Sequence, residues 1–109
     1  MAYDEVLADR IRDVVAGTPD VSEKKMFGGL AFLVGGTMAV AASGQGGLML
    51  RCSPEESDAL VARGAERVVM RGREMANWLR VVEAVDLDED TFGDWVETGL
   101  AFARSQPPK

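Results

Sequence analysis

The sequence contains no histidine and only one cysteine, Cys52, in 109 residues. The absence of histidine excludes Ser-His and Cys-His nucleophile pairs and every metal site that uses imidazole. A single cysteine excludes an internal disulfide and a thiolate metal cage, and it suits a reducing compartment. We therefore expect a cytoplasmic protein with no cofactor and no metal, whose core is stabilised by packing.

Long hydrophobic runs and a basic leader are also lacking. Residues 1–5 are acidic rather than basic, so no secretory signal is predicted. The apolar stretches are interrupted by Gly35-Gly36 and by Ser43-Gly44-Gln45-Gly46-Gly47, well before the roughly 20 residues that a bilayer requires. The net charge of −6 disfavours nucleic acid and anionic membranes as partners. Only the segment 21–82 carries more basic than acidic side chains.

What is present fits one small domain spanning residues 1–109, because a chain of this length with 47% apolar residues builds a single modest core. Helical spacing of apolar residues predicts helices over 3–16 and from about 89 onwards, and Ser53-Pro54-Glu55-Glu56 predicts a helix ending near Arg63. Short apolar runs bounded by glycine or polar residues predict six strands, at Lys24–Phe27, Leu30–Val34, Thr37–Ala42, Leu48–Arg51, Glu66–Met70 and Asn77–Val82.

The order of these elements predicts the fold class. Strands joined by such short connections are largely antiparallel, since parallel neighbours need long crossovers. We expect a two-layer α+β domain of order α-β-β-β-β-α-β-β-α, with the helices over one face of the sheet. Gly35-Gly36 is the clearest turn signal, because a two-residue hairpin needs positive φ values and glycine adopts them without steric cost. The glycine clusters lack the Gly-Lys-Ser/Thr of a phosphate loop, so they are interpreted as turns.

Two basic segments are candidate binding residues. Lys24 and Lys25 fall on opposite faces of one strand, where they either discourage edge-to-edge association or join a binding patch. In Arg71-Gly72-Arg73, a pair of guanidinium groups in a turn either grips a carboxylate or phosphate or pairs with neighbouring acids such as Glu74.

The soft and aromatic side chains have two interpretations as well. We favour the interpretation that these methionine and aromatic side chains fill an irregular core. The alternative is that they form an adaptable interaction surface. The residues concerned are Met26, Phe27, Met38, Met49, Met70, Met75, Trp78 and Trp95. Cys52 is interpreted as a half-buried structural thiol, although Arg51 and the following helix start can lower a thiol pKa.

Three blocks of sequence carry a family resemblance: Lys24-Lys25-Met26-Phe27-Gly28-Gly29-Leu30-Ala31-Phe32, Gly72-Arg73-Glu74-Met75-Ala76-Asn77-Trp78, and Trp95-Val96 with the Pro107-Pro108-Lys109 tail. With these blocks in order, the chain resembles the TfoX (Sxy) N-terminal domain family over nearly its whole length. The resemblance implies an antiparallel α+β domain similar to the secretion-chaperone-like folds. Full-length members also carry a C-terminal helical domain, and we expect the present chain to be a stand-alone N-terminal domain.

The resemblance implies a regulatory function rather than catalysis. Full-length members are competence regulators thought to act with the cyclic-AMP receptor protein at promoters, and no catalytic residues carry over to this chain. The leading hypothesis is a non-enzymatic regulatory or protein-interaction module whose partner is a transcription-related protein or a second copy in a homodimer. Candidate partner-binding or anion-binding residues are Lys24, Lys25, Phe27, Gly28, Gly29, Arg71, Gly72, Arg73 and Trp78.

Two alternatives remain open. The basic region around Lys24, Lys25, Arg71 and Arg73 would bind nucleic acid or a small anion directly, with steep salt dependence. An unrecognised enzyme would use Arg71 or Arg73 as an oxyanion clamp with a carboxylate as base.

Overall fold

The structure is a computed structural model that describes residues 3–26, 28–44, 46–70 and 72–106. Three α-helices and six strands follow the predicted order, so the fold class α+β is confirmed. The helices are α1 (Glu5–Val15), α2 (Pro54–Ala62) and α3 (Glu89–Ser105). The strands are β1 (Val21–Met26), β2 (Gly29–Val34), β3 (Thr37–Ala42), β4 (Leu48–Arg51), β5 (Glu66–Met70) and β6 (Arg73–Val81). A short 3₁₀ turn at Ala84–Asp86, which was not predicted, precedes α3.

The strands form one six-stranded antiparallel sheet in the order β1-β2-β3-β4-β6-β5. Successive strands pair as hairpins along the first four positions, as short connections require. After β4 the chain leaves the sheet through α2, forms the far edge as β5, and returns as β6 beside β4. The two sheet edges are therefore β1 and β5, with four strands between them.

Turn chemistry sets the strand boundaries. Gly35 and Gly36 adopt φ values of 58° and 86°, which confirms the hairpin predicted there. Gly72 has a φ of 77°, and the two-residue turn that it closes lets Met70 pair directly with Arg73. Pairing up to this turn explains why β6 begins at Arg73, four residues before the predicted start at Asn77. The prediction of a basic loop that includes Arg73 was wrong in this respect.

The helix starts use different caps. Asp4 caps α1, its carboxylate accepting from the backbone N–H groups of Val6 and Leu7. Asp88 caps α3 in the same way by accepting from the backbone N–H of Thr91, and hydrogen bonds from the side chain and then the backbone of Thr91 lower the pKa of its carboxyl. At α2 the expected side-chain cap is absent: the hydroxyl of Ser53 donates to the Glu56 carboxylate at 3.0 Å instead.

All three helices pack on one face of the sheet and share one core. α3 lies across β2, β3 and β4, α2 packs against β6, and α1 packs against β3 and α3. The face beneath them is marked by a row of directly paired residues that crosses all six strands: Glu23, Phe32, Val40, Leu50, Leu79 and Arg67. The four apolar members of this row are at most 1% exposed. We call this the helix-covered face.

Ion pairs join both ends of that row to the helices. Glu23 on β1 accepts two hydrogen bonds from the Arg12 guanidinium of α1, at 2.8 and 2.9 Å. At the other edge, Arg67 on β5 pairs with Asp58 of α2 and donates to Ser57 at 3.2 Å. Each edge strand is thus joined to a helix by an ion pair.

Close packing of α3 on the sheet requires a glycine. A Cβ placed on Gly99 would lie 2.4 Å from the carbonyl oxygen of Ala39 and 2.5 Å from Cγ1 of Val40. The approach occurs where the β2–β3 register shifts and Ala39 forms a bulge. Gly99 therefore sets how near the longest helix lies to the centre of the sheet.

Candidate interaction surface

The opposite face of the sheet carries no helix among the described residues. A second row of paired residues crosses the six strands on this side: Lys24, Ala31, Ala41, Met49, Arg80 and Glu66. The same alternation places Leu33 opposite Met38 and Arg51 opposite Trp78. We call these ten residues the helix-free face.

The helix-free face is apolar at its centre. Leu33, Met38, Met49 and Trp78 are half-buried there, and none of them belongs to the core cluster beneath the helices. The interpretation of the soft side chains as core filling was therefore wrong for the two methionines and for Trp78. Trp95, by contrast, is a core residue that is 3% exposed. The side chains of the remaining methionines in that set, and Phe27, lie outside the described part of the chain.

The charge of this face is opposite in sign to that of the whole molecule. It carries Lys24, Arg51 and Arg80 against one acidic residue, Glu66, whereas the chain as a whole has a net charge of −6. Local potential, not net charge, determines which surface of a partner is attracted at short range. The helix-free face therefore favours an acidic partner.

Arg51 lies where β4 ends, between two aromatic side chains. Its Cζ atom is 5.5 Å from the ring centroid of Trp78, its partner on β6, and 4.8 Å from that of Phe102 on α3. Phe102 is 9% exposed and stands apart from the main core cluster. We call Arg51, Trp78 and Phe102 the Arg51 site; it joins the helix-free face to the C-terminal half of α3.

The guanidinium of Arg51 makes no hydrogen bond or ion pair with any residue in the described part of the chain, and its Nε–H is buried without an acceptor. Burial lowers the pKa of Arg51, and no carboxylate opposes that effect. A buried donor left unpaired costs about 1–3 kcal/mol. Each cation-π contact returns about 0.5–2 kcal/mol. The two effects are similar in size and opposite in sign.

An open cleft adjoins the Arg51 site. It has a volume of about 470 Å³ and runs between the start of α2 and the C-terminal half of α3. Apart from Phe102 and Ala101, the residues that line it are of polar types, and they include Glu56 and Glu97. Both carboxylates already have partners, because Ser53 donates to Glu56 and Arg104 pairs with Glu97.

The first group of candidates from the sequence lies around the β1–β2 turn. Lys24 and Lys25 are exposed on opposite faces of β1, as predicted. Gly28, with a φ of 76°, makes the turn. Gly29 is buried, and a Cβ there would lie 2.4 Å from the carbonyl oxygen of Ala42, so this glycine serves strand packing.

The second group lies at the other end of the sheet. Gly72 closes the β5–β6 turn, Arg73 is exposed at the start of β6, and Trp78 is half-buried on the helix-free face. Phe27 and Arg71 lie outside the described residues. Because β2, β3 and β4 separate β1 from β6, the sheet order does not bring Lys24 and Lys25 together with Arg73.

Cys52 is fully buried rather than half-buried. Burial raises the pKa of its thiol, with the Glu56 carboxylate adding to this effect and Arg67 opposing it. Arg51 and the following helix start do not produce the activated thiolate that they can favour elsewhere. Cys52 is a small apolar component of the core.

Sequence reasoning missed Arg51. The signal was present in Leu48-Met49-Leu50-Arg51, where strand alternation puts Arg51 on the same face as Met49 and away from the core leucines. The aromatic neighbours come from β6 and α3, which lie far along the chain. Only the β4–β6 register and the position of α3 reveal that the charge is enclosed.

One family model, the TfoX N-terminal domain, matches residues 13–103. The chain belongs to the TfoX N-terminal domain family. The match runs from α1 to α3 and includes every strand of the sheet, so both faces of this TfoX N-terminal domain lie within it. No curated protein and no solved structure matches the chain. None of the described helices is long and apolar enough to cross a membrane.

Proposed function

We propose that this TfoX N-terminal domain is a non-enzymatic regulatory module that binds another protein through its helix-free face. The observation that carries the proposal is the composition of that face: tryptophan, methionine and arginine at half-buried positions, without a covering helix. Aromatic residues, methionine and arginine are enriched at protein interfaces, and tryptophan and arginine dominate binding hot spots.

Charge indicates the kind of partner. A symmetric contact between two helix-free faces would place two surfaces of the same net charge against each other, which disfavours a homodimer through this face. A different protein that presents carboxylates around an apolar centre is complementary to it. The partner is therefore an acidic protein surface.

Family membership supports the cellular role. The expected competence and transcription functions make a transcription regulator in the cytoplasm the class of partner to look for. The non-enzymatic nature of the domain is supported by the absence of histidine from the sequence and by the burial of Cys52, which leaves no nucleophile with an adjacent imidazole base.

Affinity capture with matched variants tests the proposal. Met49→Glu puts a carboxylate at the centre of the helix-free face, whereas Val6→Glu makes the same kind of change on the outer surface of α1, where Val6 is 62% exposed. We expect Met49→Glu to weaken the complex with the captured and purified partner by about tenfold or more, or about 1.4 kcal/mol. Val6→Glu should leave the affinity unchanged.

Three results would contradict the proposal. The first is equal affinity for the wild type and Met49→Glu, both shown to be folded by near-ultraviolet circular dichroism. The second is a concentration-dependent dimer in sedimentation that Met49→Glu abolishes, since the occupant would then be a second copy. The third is substrate turnover by the purified domain that a single side-chain change abolishes.

A further inference from the structure

Arg51 differs from the other arginines that contact aromatic rings. Arg10 lies 4.3 Å from the Phe92 ring, but it also donates to the carbonyl oxygens of Ala84 and Val85. Arg63 lies 4.7 Å from the Trp95 ring and is exposed, so water completes its hydrogen bonding. Arg51 alone among these three combines an enclosed Nε–H with no protein acceptor.

Arg12 is an example of a guanidinium that is ion-paired within the molecule. The Arg12 side chain is 42% exposed and contacts the carboxylates of both Glu23 and Asp9. Arg51 has no such carboxylate among the described residues, and desolvation by burial lowers its pKa, whereas the carboxylates raise the pKa of Arg12. Arg12, which water already reaches, thus has two carboxylate partners, whereas Arg51, which is more strongly desolvated, has none in that part of the chain.

We propose that the Arg51 guanidinium is a receptor for a carboxylate of the bound protein, an inference that rests on the proposed interaction function. The rings of Trp78 and Phe102 contact the cation and restrict its orientation, so its entropy is largely lost before binding. Its terminal N–H groups form a planar fork that matches two carboxylate oxygens. The partner residue is an aspartate, a glutamate or a chain terminus.

The neighbouring acids determine the direction of approach. Glu56 and Glu97 line the cleft beside Phe102, and they disfavour a second acidic group there. On the side of the helix-free face, the neighbours of Arg51 are Trp78, its cross-strand partner, and Met49, two positions earlier on β4, and neither is acidic. The carboxylate therefore arrives from the helix-free face rather than from the cleft.

A titration with N-acetylated hexaglutamate at low ionic strength tests this inference by nuclear magnetic resonance. We expect saturable shifts of the Arg51 Nε–H and Trp78 indole signals, while the Trp95 indole signal stays in place. Arg51→Lys keeps the charge but removes the fork, so binding followed at Trp78 should weaken about fivefold. The matched Arg63→Lys variant should bind like the wild type.

The outcomes separate this inference from the proposed function. If Met49→Glu abolishes partner binding but Arg51→Lys and Arg51→Met do not, the helix-free face is the interface and Arg51 is not the receptor. Inorganic phosphate shifting the Arg51 signal more strongly than hexaglutamate would contradict a carboxylate receptor. If no partner is captured, the peptide titration still decides whether Arg51 binds carboxylates. Near-ultraviolet circular dichroism checks that each variant is folded.

Discussion

The two faces of this sheet are built from alternate residues of the same strands, yet they differ in what completes them. On the helix-covered face, Phe32 and Leu50 are fully buried beneath α-helices, and ion pairs to the helices complete both ends of the row. On the helix-free face, Met49 and Trp78 are half-buried and Arg51 has no counter-ion in the described part of the chain.

The difference shows that covering apolar area and pairing charged groups are separate requirements. A face stabilises the fold when its apolar area is covered and its charges are paired within the molecule. On the helix-covered face the apolar row is buried and the charges at its two ends are paired, whereas on the helix-free face Met49 and Trp78 are half-buried and Arg51 has no counter-ion in the described part of the chain. Residues on the first face should therefore affect folding, and residues on the second should affect binding.

The largest expected effect on folding comes from adjacent residues of β4 that face opposite ways. Leu50→Ala leaves a cavity in the core and should lower the free energy of unfolding by about 2–5 kcal/mol. Met49→Ala removes a side chain from the helix-free face and should cost less than about 1 kcal/mol. Urea unfolding of both variants measures the difference, and equal losses would show that the helix-free face is part of the core.

A second contrast lies within α3. Gly99→Ala forces a Cβ against the backbone of Ala39 and should destabilise the domain by about 1–3 kcal/mol. Gly93, six residues earlier in the same helix, has open space around its Cβ position. Gly93→Ala should therefore stabilise the domain by about 0.5–1 kcal/mol. Thermal unfolding distinguishes the two, and a stabilising Gly99→Ala would contradict the close approach of helix and sheet.

The two lysines of β1 test the difference between the two faces in a binding experiment. Lys24 pairs with Ala31 on the helix-free face, and Lys25 pairs with Leu30 on the other. Lys24→Glu should slow association with the acidic partner by about threefold at low salt, because a charge at the rim of an interface acts mainly on the on-rate. Lys25→Glu should have less effect in the same stopped-flow or biosensor experiment. The reverse order would assign the partner to the helix-covered face.

The smallest effect concerns the pH dependence of stability. The hydrogen bonds from Arg12 lower the pKa of Glu23 below its usual value of 4.5. A carboxyl with a lowered pKa in the folded state stabilises the fold above the unfolded pKa, and this contribution disappears as pH falls through the folded pKa. Glu23→Gln should therefore be slightly less stable than the wild type at pH 7, and their unfolding curves should converge below the lowered pKa. A gap that persists in acid would contradict this pairing.

The fold was largely predictable from the sequence because local signals and topology agree. Gly35-Gly36 and Thr37–Ala42 carry turn and strand signals strong enough to place their boundaries correctly. The two faces were not predictable, since apolar runs such as Leu48-Met49-Leu50 do not reveal which side a helix covers. Strand alternation places Arg51 on the same face as Met49, but the sequence does not show that Arg51 is enclosed. Its neighbours come together only through the β4–β6 pairing and the placement of α3.

Site-specific photo-crosslinking in the host cell tests the central claim most directly. A photoreactive phenylalanine analogue replaces Met38 on the helix-free face or Asp94, which is exposed on α3. We expect the probe at 38 to crosslink to one other protein with an acidic surface and the probe at 94 to give no specific product. Crosslinking from 94 to a discrete protein, with none from 38, would contradict the assignment of the helix-free face as the partner-binding surface.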